Sequence, residues 1–442
     1  MTEDEERGAL PPEEECAAEA EGSRQPVEHP IGVSDVQGLA RLTLDAARMI
    51  TDVVEETHAA VLGQFHGRFG APSRLLGAST EGRTGAIPGL VYRSIRAGYD
   101  AVEAGLGIGG SLLGRATGSA SSWTPERERG LAVLNGVWGH HLAASRNPLA
   151  IEMAFRHAGA PLALEPCALR AALGAPGSKL LVLVHGLCMN DLSWQQDGHD
   201  HGAELARDLG YTPVYLHYNT GLHISTNGKC LAELLEKLVE AWPAPVEELT
   251  ILGHSMGGLV ARSAVHYGEL DKRTWRDRLR RLVCLGAPHH GSRLERAGAW
   301  ADRFMDATPY SAPFKRLGAT RSAGITDLRH GSVIDEDWQG AGRFEHRRDV
   351  RCLVPLPDGV ECYALAATLG TEAGDAKDRL LGDGLVPVKS ALGIHRDPER
   401  NLAFPPSHRW VGYEMSHLDL LRSPEVYAQL QEWLASDRPR SA

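Results

Sequence analysis

A chain of 442 residues with 43% hydrophobic content can bury one large core and an accessory region besides. Its net charge of −11 argues against a nucleic-acid partner. The seven cysteines form no C-x-x-C pair that would indicate zinc or redox work, and Cys188, Cys230, Cys284, Cys352 and Cys362 mostly sit in apolar surroundings, as reduced core thiols do.

Residues 1–32 carry the acidic clusters Glu3-Asp4-Glu5-Glu6 and Glu13-Glu14-Glu15 and read as a disordered, solvated tail. Met1 to Pro30 has no apolar export-signal core. Nowhere does the chain reach the ~18 uninterrupted apolar residues of a spanning helix. A cytoplasmic location, with membrane-peripheral contact as the further option, is therefore expected.

Residues 33–165 read as a helical accessory region. Leu39, Leu42, Ala46, Met49, Ile50, Val53, Thr57 and Val61 recur at helical spacing with polar residues between them. A second helix follows after Pro72 and the stretch Gly82 to Pro88. Its apolar face is Leu90, Val91, Ile95, Val102, Leu106 and Leu113, and Gly98, Ala101, Gly105 and Gly109 offer a small-residue face for close packing. The pair predicts a helical hairpin that packs on the sheet or on a second subunit; the oligomeric state stays open. Contact with a lipid surface is the alternative. Asp45, Asp52, Glu55 and Glu56 make the first helix acidic, and the second carries only Arg93, Arg96 and Arg115 as basic residues. Gly105, Gly107 and Gly110 match G-x-G-x-x-G, but no buried strand precedes them, so no dinucleotide and no other cofactor is expected. Trp123 to Ala160 reads as a further helical connection broken at Asn147-Pro148.

The chemistry lies in residues 166–442. Lys179 to Val184 is a continuous apolar run, as in a strand buried on both faces, and it stops at His185-Gly186-Leu187-Cys188. Leu249 to Leu252 is another such run. It leads into Gly253-His254-Ser255-Met256-Gly257, and Gly258 to Val265 continues as a buried helix. Strand, sharp turn and helix present Ser255 as an exposed nucleophile. A weak hydroxyl needs a base, an acid to orient the base, and donors for the oxyanion. The amides of Leu187 and Met256 are placed to be those donors. His185, Gly186 and His254 are expected beside the substrate. His289, with His290 after the strand Leu282 to Leu285, should line the site mouth; a metal there lacks an acidic or thiol partner at ligand spacing.

Between that strand and the next, Glu361 to Thr368, an insertion at about 293–358 carries Trp300, Phe304, Met305, Tyr310, Phe314, Trp338 and Phe344. It is expected to cap the serine, with most of these side chains packing the cap onto the core. Gly382-Asp383-Gly384-Leu385-Val386-Pro387 then places Asp383 at a turn. Asp375 and Asp378 are rivals within the charged segment Glu372 to Arg379. After a last strand, Arg409 to Tyr413, the loop Met415-Ser416-His417-Leu418-Asp419 offers His417 as the base, with His395 and His408 as alternatives. A proline-started helix, Pro424 to Leu434, closes the domain with Val426, Leu430 and Leu434 on one face.

Gly253-His254-Ser255-Met256-Gly257-Gly258, His185-Gly186-Leu187, Gly286-Ala287-Pro288-His289-His290-Gly291-Ser292, Asp383-Gly384-Leu385-Val386-Pro387 and His417-Leu418 together resemble the α/β-hydrolase lipases and esterases. The sequence is most similar in flavour to bacterial triacylglycerol lipases and GPI-inositol-deacylase-like proteins, over residues 177 to 436. The resemblance implies a mostly parallel, doubly wound α/β-hydrolase sheet with a cap insertion. It also implies acyl-enzyme chemistry on Ser255 and a small-molecule carboxyl-ester or acyl-lipid substrate. Thioesterase, acyltransferase and polyester-depolymerase activities would use the same triad. A reading of another class is a non-enzymatic lipid- or partner-binding scaffold.

Overall fold

The computed structural model describes residues 34–45, 47–48, 51–52, 55, 93–105, 124–292, 322–340, 349, 351–375 and 382–435. Several expectations lie outside these residues: the acidic tail; Ala46, Met49, Ile50, Val53, Thr57 and Val61; Leu90, Val91, Leu106 and Leu113; the cap aromatics other than Trp338; and the rival acid Asp378.

Eight strands form one sheet: β1 (Ala154–His157), β2 (Ala160–Pro161), β3 (Lys179–Val184), β4 (Thr212–His217), β5 (Glu248–His254), β6 (Leu279–Leu285), β7 (Glu361–Ala367) and β8 (Arg409–Gly412). Their order is β2-β1-β4-β3-β5-β6-β7-β8. β1 runs antiparallel to both neighbours, and every other pairing is parallel. The near-continuous apolar runs follow from this arrangement, because a central parallel strand is covered on both faces. Alternation then divides each strand between two cores. Leu180, Val182, Val184, Ile251, Leu282, Cys284 and Ala364 enter one. Leu181, Leu183, Leu252, Val283, Leu285 and Leu365 enter the other.

Among the described residues, eight helices accompany the strands within the sheet-bearing unit: α1 (Pro125–Ala144), α2 (Pro166–Leu173), α3 (His201–Leu209), α4 (Ile224–Glu240), α5 (Met256–Leu270), α6 (Ala323–Asp327), α7 (Val388–Ala391) and α8 (Pro424–Ala435). α4 and α5 supply Leu231, Leu235, Leu259 and Val260 to the first core. α3 and α8 supply Leu205, Val426, Leu430 and Leu434 to the second. Each such side chain contributes roughly 1.5–3 kcal/mol when fully buried. The chain leaves β3 toward β4 and returns as β5 on β3's other side, so the loops after β3 and β5 diverge. Such a switch point opens a crevice at the carboxyl end of the sheet, where open α/β sheets bind their ligands.

The chain divides into two units, one holding Thr124–His141 and everything from Ile151, the other holding Leu142–Ala150 with the described part of the 25–123 stretch. β1 and β2 therefore belong to the sheet, although their sequence fell in the region read as helical. A strand of four residues that buries only Phe155 is too short for a periodic signal.

In the second unit, residues 34–45 and 93–105 are helical. Arg48 pairs with Asp100 and Glu103, and Arg96 pairs with Asp52 and Glu55. This register is antiparallel, so the acidic face of the first segment meets the arginine of the second. The two described members of the apolar face expected on the second segment are exposed, Ile95 at 38% and Val102 at 52%. Among the described residues, a methyl added at Gly98 or Gly105 would touch nothing within 4 Å. Charge complementarity, which periodicity does not weigh, selected the other face.

Cys188, Cys284 and Cys362 are buried thiols, whereas Cys230 and Cys352 are exposed, contrary to the core position expected of them. Cys167 is disulfide-bonded, which the reading of reduced thiols did not foresee. Among the described residues, no helix is long and apolar enough to cross a membrane.

Candidate active site

Ser255 occupies the turn between β5 and α5 with φ 54° and ψ −123°, a left-handed conformation that side chains rarely adopt. Its amide donates to Leu285 O at 2.8 Å, tying the turn to the end of β6. The strain persists because the surroundings leave no alternative: a Cβ on Gly257 would stand 2.1 Å from Val184 O and 2.6 Å from His185 O. Only glycine lets α5 approach the end of β3 that closely.

Asp383 lies on the loop after β7 and is buried. Its Oδ1 accepts the amides of Leu385 (2.9 Å) and Val386 (2.8 Å), and its Oδ2 accepts His417 Nδ1–H at 2.6 Å. The His417 amide also donates to Asp383 O at 3.1 Å. A carboxylate accepts only, so Nδ1 carries the proton and Nε2 keeps its lone pair. That Nε2 is buried and has no protein partner.

Two contacts bring this pair to the serine turn. A Cβ on Gly286, which follows the carbonyl that holds Ser255, would stand 3.0 Å from His417 Cε1. His254, one residue before Ser255, places its ring centroid 4.7 Å from that of His417. Ser255 Oγ and His417 do not hydrogen-bond in this structure; such contacts are often long without substrate.

His254 is fully buried, and its Nε2–H donates to His417 O at 3.2 Å. Burial, with His417 beside it, holds its pKa well below the ordinary value, so the imidazole is a neutral spacer beneath His417. His185 is also fully enclosed. It stacks on Tyr218 at 4.5 Å and reaches Gly186 O at 3.0 Å, and burial pulls its pKa to about 3. His289 is buried against Arg262 rather than at a mouth. All three imidazoles are buried. Gly186 does border the serine, since a Cβ there would stand 3.1 Å from Ser255 Cβ.

The rivals lie elsewhere. Asp375 closes a local turn by accepting the Thr371 amide at 2.8 Å. His408 bonds Cys362 O at 3.1 Å and stacks on Tyr363 at 4.2 Å. His395 accepts the Asp397 amide at 3.0 Å. Trp338 stacks on His223 at 3.7 Å and donates to Ser225 Oγ at 2.9 Å, packing the insertion onto α4.

The loop after β3 is held by groups no motif announces. Cys188 N donates to Thr220 Oγ1 at 3.2 Å, and Tyr218 OH donates to His185 O at 2.8 Å. Beside the loop, the buried side chains of Glu128, Asp191 and His217 surround Arg156, which bonds Glu128 at 2.6 Å and Asp191 at 3.3 Å. Among the described residues, the amides of Leu187 and Met256 donate to no protein acceptor.

A mostly parallel, doubly wound sheet is the α/β-hydrolase fold when its central strand ends in a strained serine turn and its last two strands lead to an acid and a histidine. Residues 181–349 match the model of the PGAP1-like alpha/beta domain family. No curated protein matches the chain. Among solved structures, the mature form of a Bacillus licheniformis lipase is 18% identical with a TM-score of 0.38, over 59% of this chain and 95% of that one. Aspergillus fumigatus lipase B is 13% identical with a TM-score of 0.38, over 64% and 60%. A Pyrococcus furiosus esterase is 15% identical with a TM-score of 0.34, over 58% and 83%.

Proposed function

We propose that this protein is a serine hydrolase of carboxyl esters with an apolar acyl group. The observation that carries the reading is the buried Asp383–His417 pair, joined at 2.6 Å and packed against the residues that flank the strained Ser255 turn. In this mechanism His417 Nε2 takes the Ser255 hydroxyl proton as Oγ attacks the ester carbonyl. Asp383 keeps the proton on Nδ1 and stabilises the imidazolium. The amides of Leu187 and Met256, the latter at the positive end of α5, receive the oxyanion; each would be worth about 3 kcal/mol. His417 returns its proton to the leaving alcohol, then activates the water that frees the acid. Leu418, next to His417 and 42% exposed, supports an apolar substrate.

The test is labelling by a fluorophosphonate probe, followed by a series of p-nitrophenyl esters of increasing acyl length. Wild type should label and hydrolyse the series, and Ser255→Ala should do neither. Equal labelling of the two proteins would remove Ser255 from the reaction.

A further inference from the structure

The loop after β3 turns on a residue poorly suited to it. Met189 N donates to Gly186 O at 3.3 Å, and Cys188, the third residue of that turn, has φ 59°. A left-handed third position favours glycine, because a Cβ is strained in that conformation. The strained cysteine directly follows Leu187, whose amide is the oxyanion donor of the mechanism above. An amide beside strained backbone keeps one direction only where its surroundings fix it.

Those surroundings are α1 and the loop after β4. Cys188 N donates to Thr220 Oγ1 at 3.2 Å, and Cys188 Sγ lies 4.0 Å from Val133 O of α1. The sulfur sits on the bare backbone of Gly136. A Cβ there would stand 2.2 Å from Sγ, 3.0 Å from Cys188 Cα and 3.1 Å from Cys188 N. The loop that carries Thr220 meets α1 as closely, for a Cβ on Gly221 would stand 2.1 Å from Asn135 O.

α1 is in turn held in place. The Gly136 carbonyl accepts Ser322 Oγ–H at 2.6 Å, and Glu128 near the start of α1 binds Arg156 of β1, which reaches Asp191 just beyond the β3 loop. Glycine inside a helix is unfavourable, and at position 136 contact with the loop explains it. Burial pushes the Cys188 thiol up to about 12, so this side chain packs as a neutral group and is no nucleophile. Both α1 and β1 precede residues 181–349, so the support comes from outside the segment that matches the family model.

We infer that Gly136 is a positioning residue for ester hydrolysis: with Cys188 seated on it, α1 sets the direction of the Leu187 amide toward the oxyanion. This rests on the serine-hydrolase reading above.

The test compares Gly136→Ala, Cys188→Gly and the double variant with wild type. Two quantities are measured: steady-state hydrolysis of a p-nitrophenyl ester, and inhibition by an alkyl trifluoromethyl ketone, whose adduct with the serine carries an oxyanion. Alanine at 136 pushes the loop away, although it suits the helix itself better than glycine. Glycine at 188 tolerates the positive φ but leaves the loop without its seat. In the double variant the new methyl stands close to the place the sulfur vacates. Each single change should lower kcat on the order of 10- to 100-fold, short of the roughly 10²–10³ of a deleted oxyanion donor, with KM within about twofold. Ketone affinity should fall by the same factor, and the double variant should recover most of both losses. Cys188→Gly introduces no overlap, so the comparison with the double variant stands even where Gly136→Ala does not fold. Single variants with wild-type kcat, a loss of kcat without a matching loss of ketone affinity, or a double variant no better than Cys188→Gly would each overturn the inference while wild type stays active. A wild type that hydrolyses no ester would overturn the serine-hydrolase reading, and this inference with it.

Discussion

Under the proposed mechanism, Asp383→Asn separates catalysis from folding. In the wild type, Oδ1 holds two backbone amides and Oδ2 holds His417 Nδ1–H. Asparagine keeps a carbonyl for the Leu385 and Val386 amides, so the turn survives. Its NH₂ then faces Nδ1, donates to it, and moves the imidazole proton to Nε2. That tautomer cannot take a proton from Ser255. An exchange of this kind in serine proteases lowers kcat by about 10⁴, which corresponds to roughly 5.5 kcal/mol of activation free energy. The stability change should be far smaller, because one charge-assisted hydrogen bond is replaced by a neutral one at about 1 kcal/mol. Asp383→Ala would instead strand both amides at roughly 1–3 kcal/mol each and confuse the two effects. Steady-state hydrolysis of a p-nitrophenyl ester, paired with a calorimetric midpoint, measures both quantities. An asparagine variant that kept kcat within tenfold of wild type would refute the claim that this carboxylate sets the tautomer of His417.

Three further outcomes follow from the packing and the titrations. Gly257→Ala drives a Cβ to 2.1 Å from a backbone oxygen, whereas Gly198→Ala (φ 82°) meets open space. Denaturant unfolding should show the first losing on the order of 3 kcal/mol or more and the second only about 1 kcal/mol; equal losses would contradict the close approach of α5 to β3. A thiol reagent applied to the native chain should modify Cys230 and Cys352 and spare Cys188 and Cys284, whose pKa values burial pushes up to about 12. Peptide mapping that found Cys188 modified before unfolding would show the β3 loop to be open. Burial lowers the pKa of His201 and of His290 to about 4 each and that of His185 to about 3. As the pH falls, the unfolded chain therefore takes up protons before the folded one does. Stability should be full above about pH 6.5 and decline progressively toward pH 4 and below. A midpoint that stayed flat from pH 7 to pH 4 would mean that these imidazoles are not buried neutral.

The strands were legible because burial on both faces leaves a one-dimensional trace. Lys179–Val184 reads as β3 without any partner in view, and the run before Ser255 reads as β5. Local chemistry is legible too. The glycines around Ser255 and Asp383 announce turns, because their backbone needs are met within a few residues. What sequence could not supply was the meeting of distant parts. Glu128, Arg156, Asp191 and His217 lie far apart along the chain and match no motif, yet they converge beside the β3 loop. His254 and His289 sit in short motifs, and only tertiary packing shows that both are buried. The exposed apolar residues of the 93–105 segment were misjudged for the same reason: a helix has several faces, and periodicity cannot say which one a partner will cover. Sequence alone set which segments would be strands and which serine would stand on a strained turn, since steric and solvation demands there are local. Tertiary structure alone decided which polar groups found partners, as buried Arg262 found Val354 O, because that depends on what the fold brings within a few ångströms.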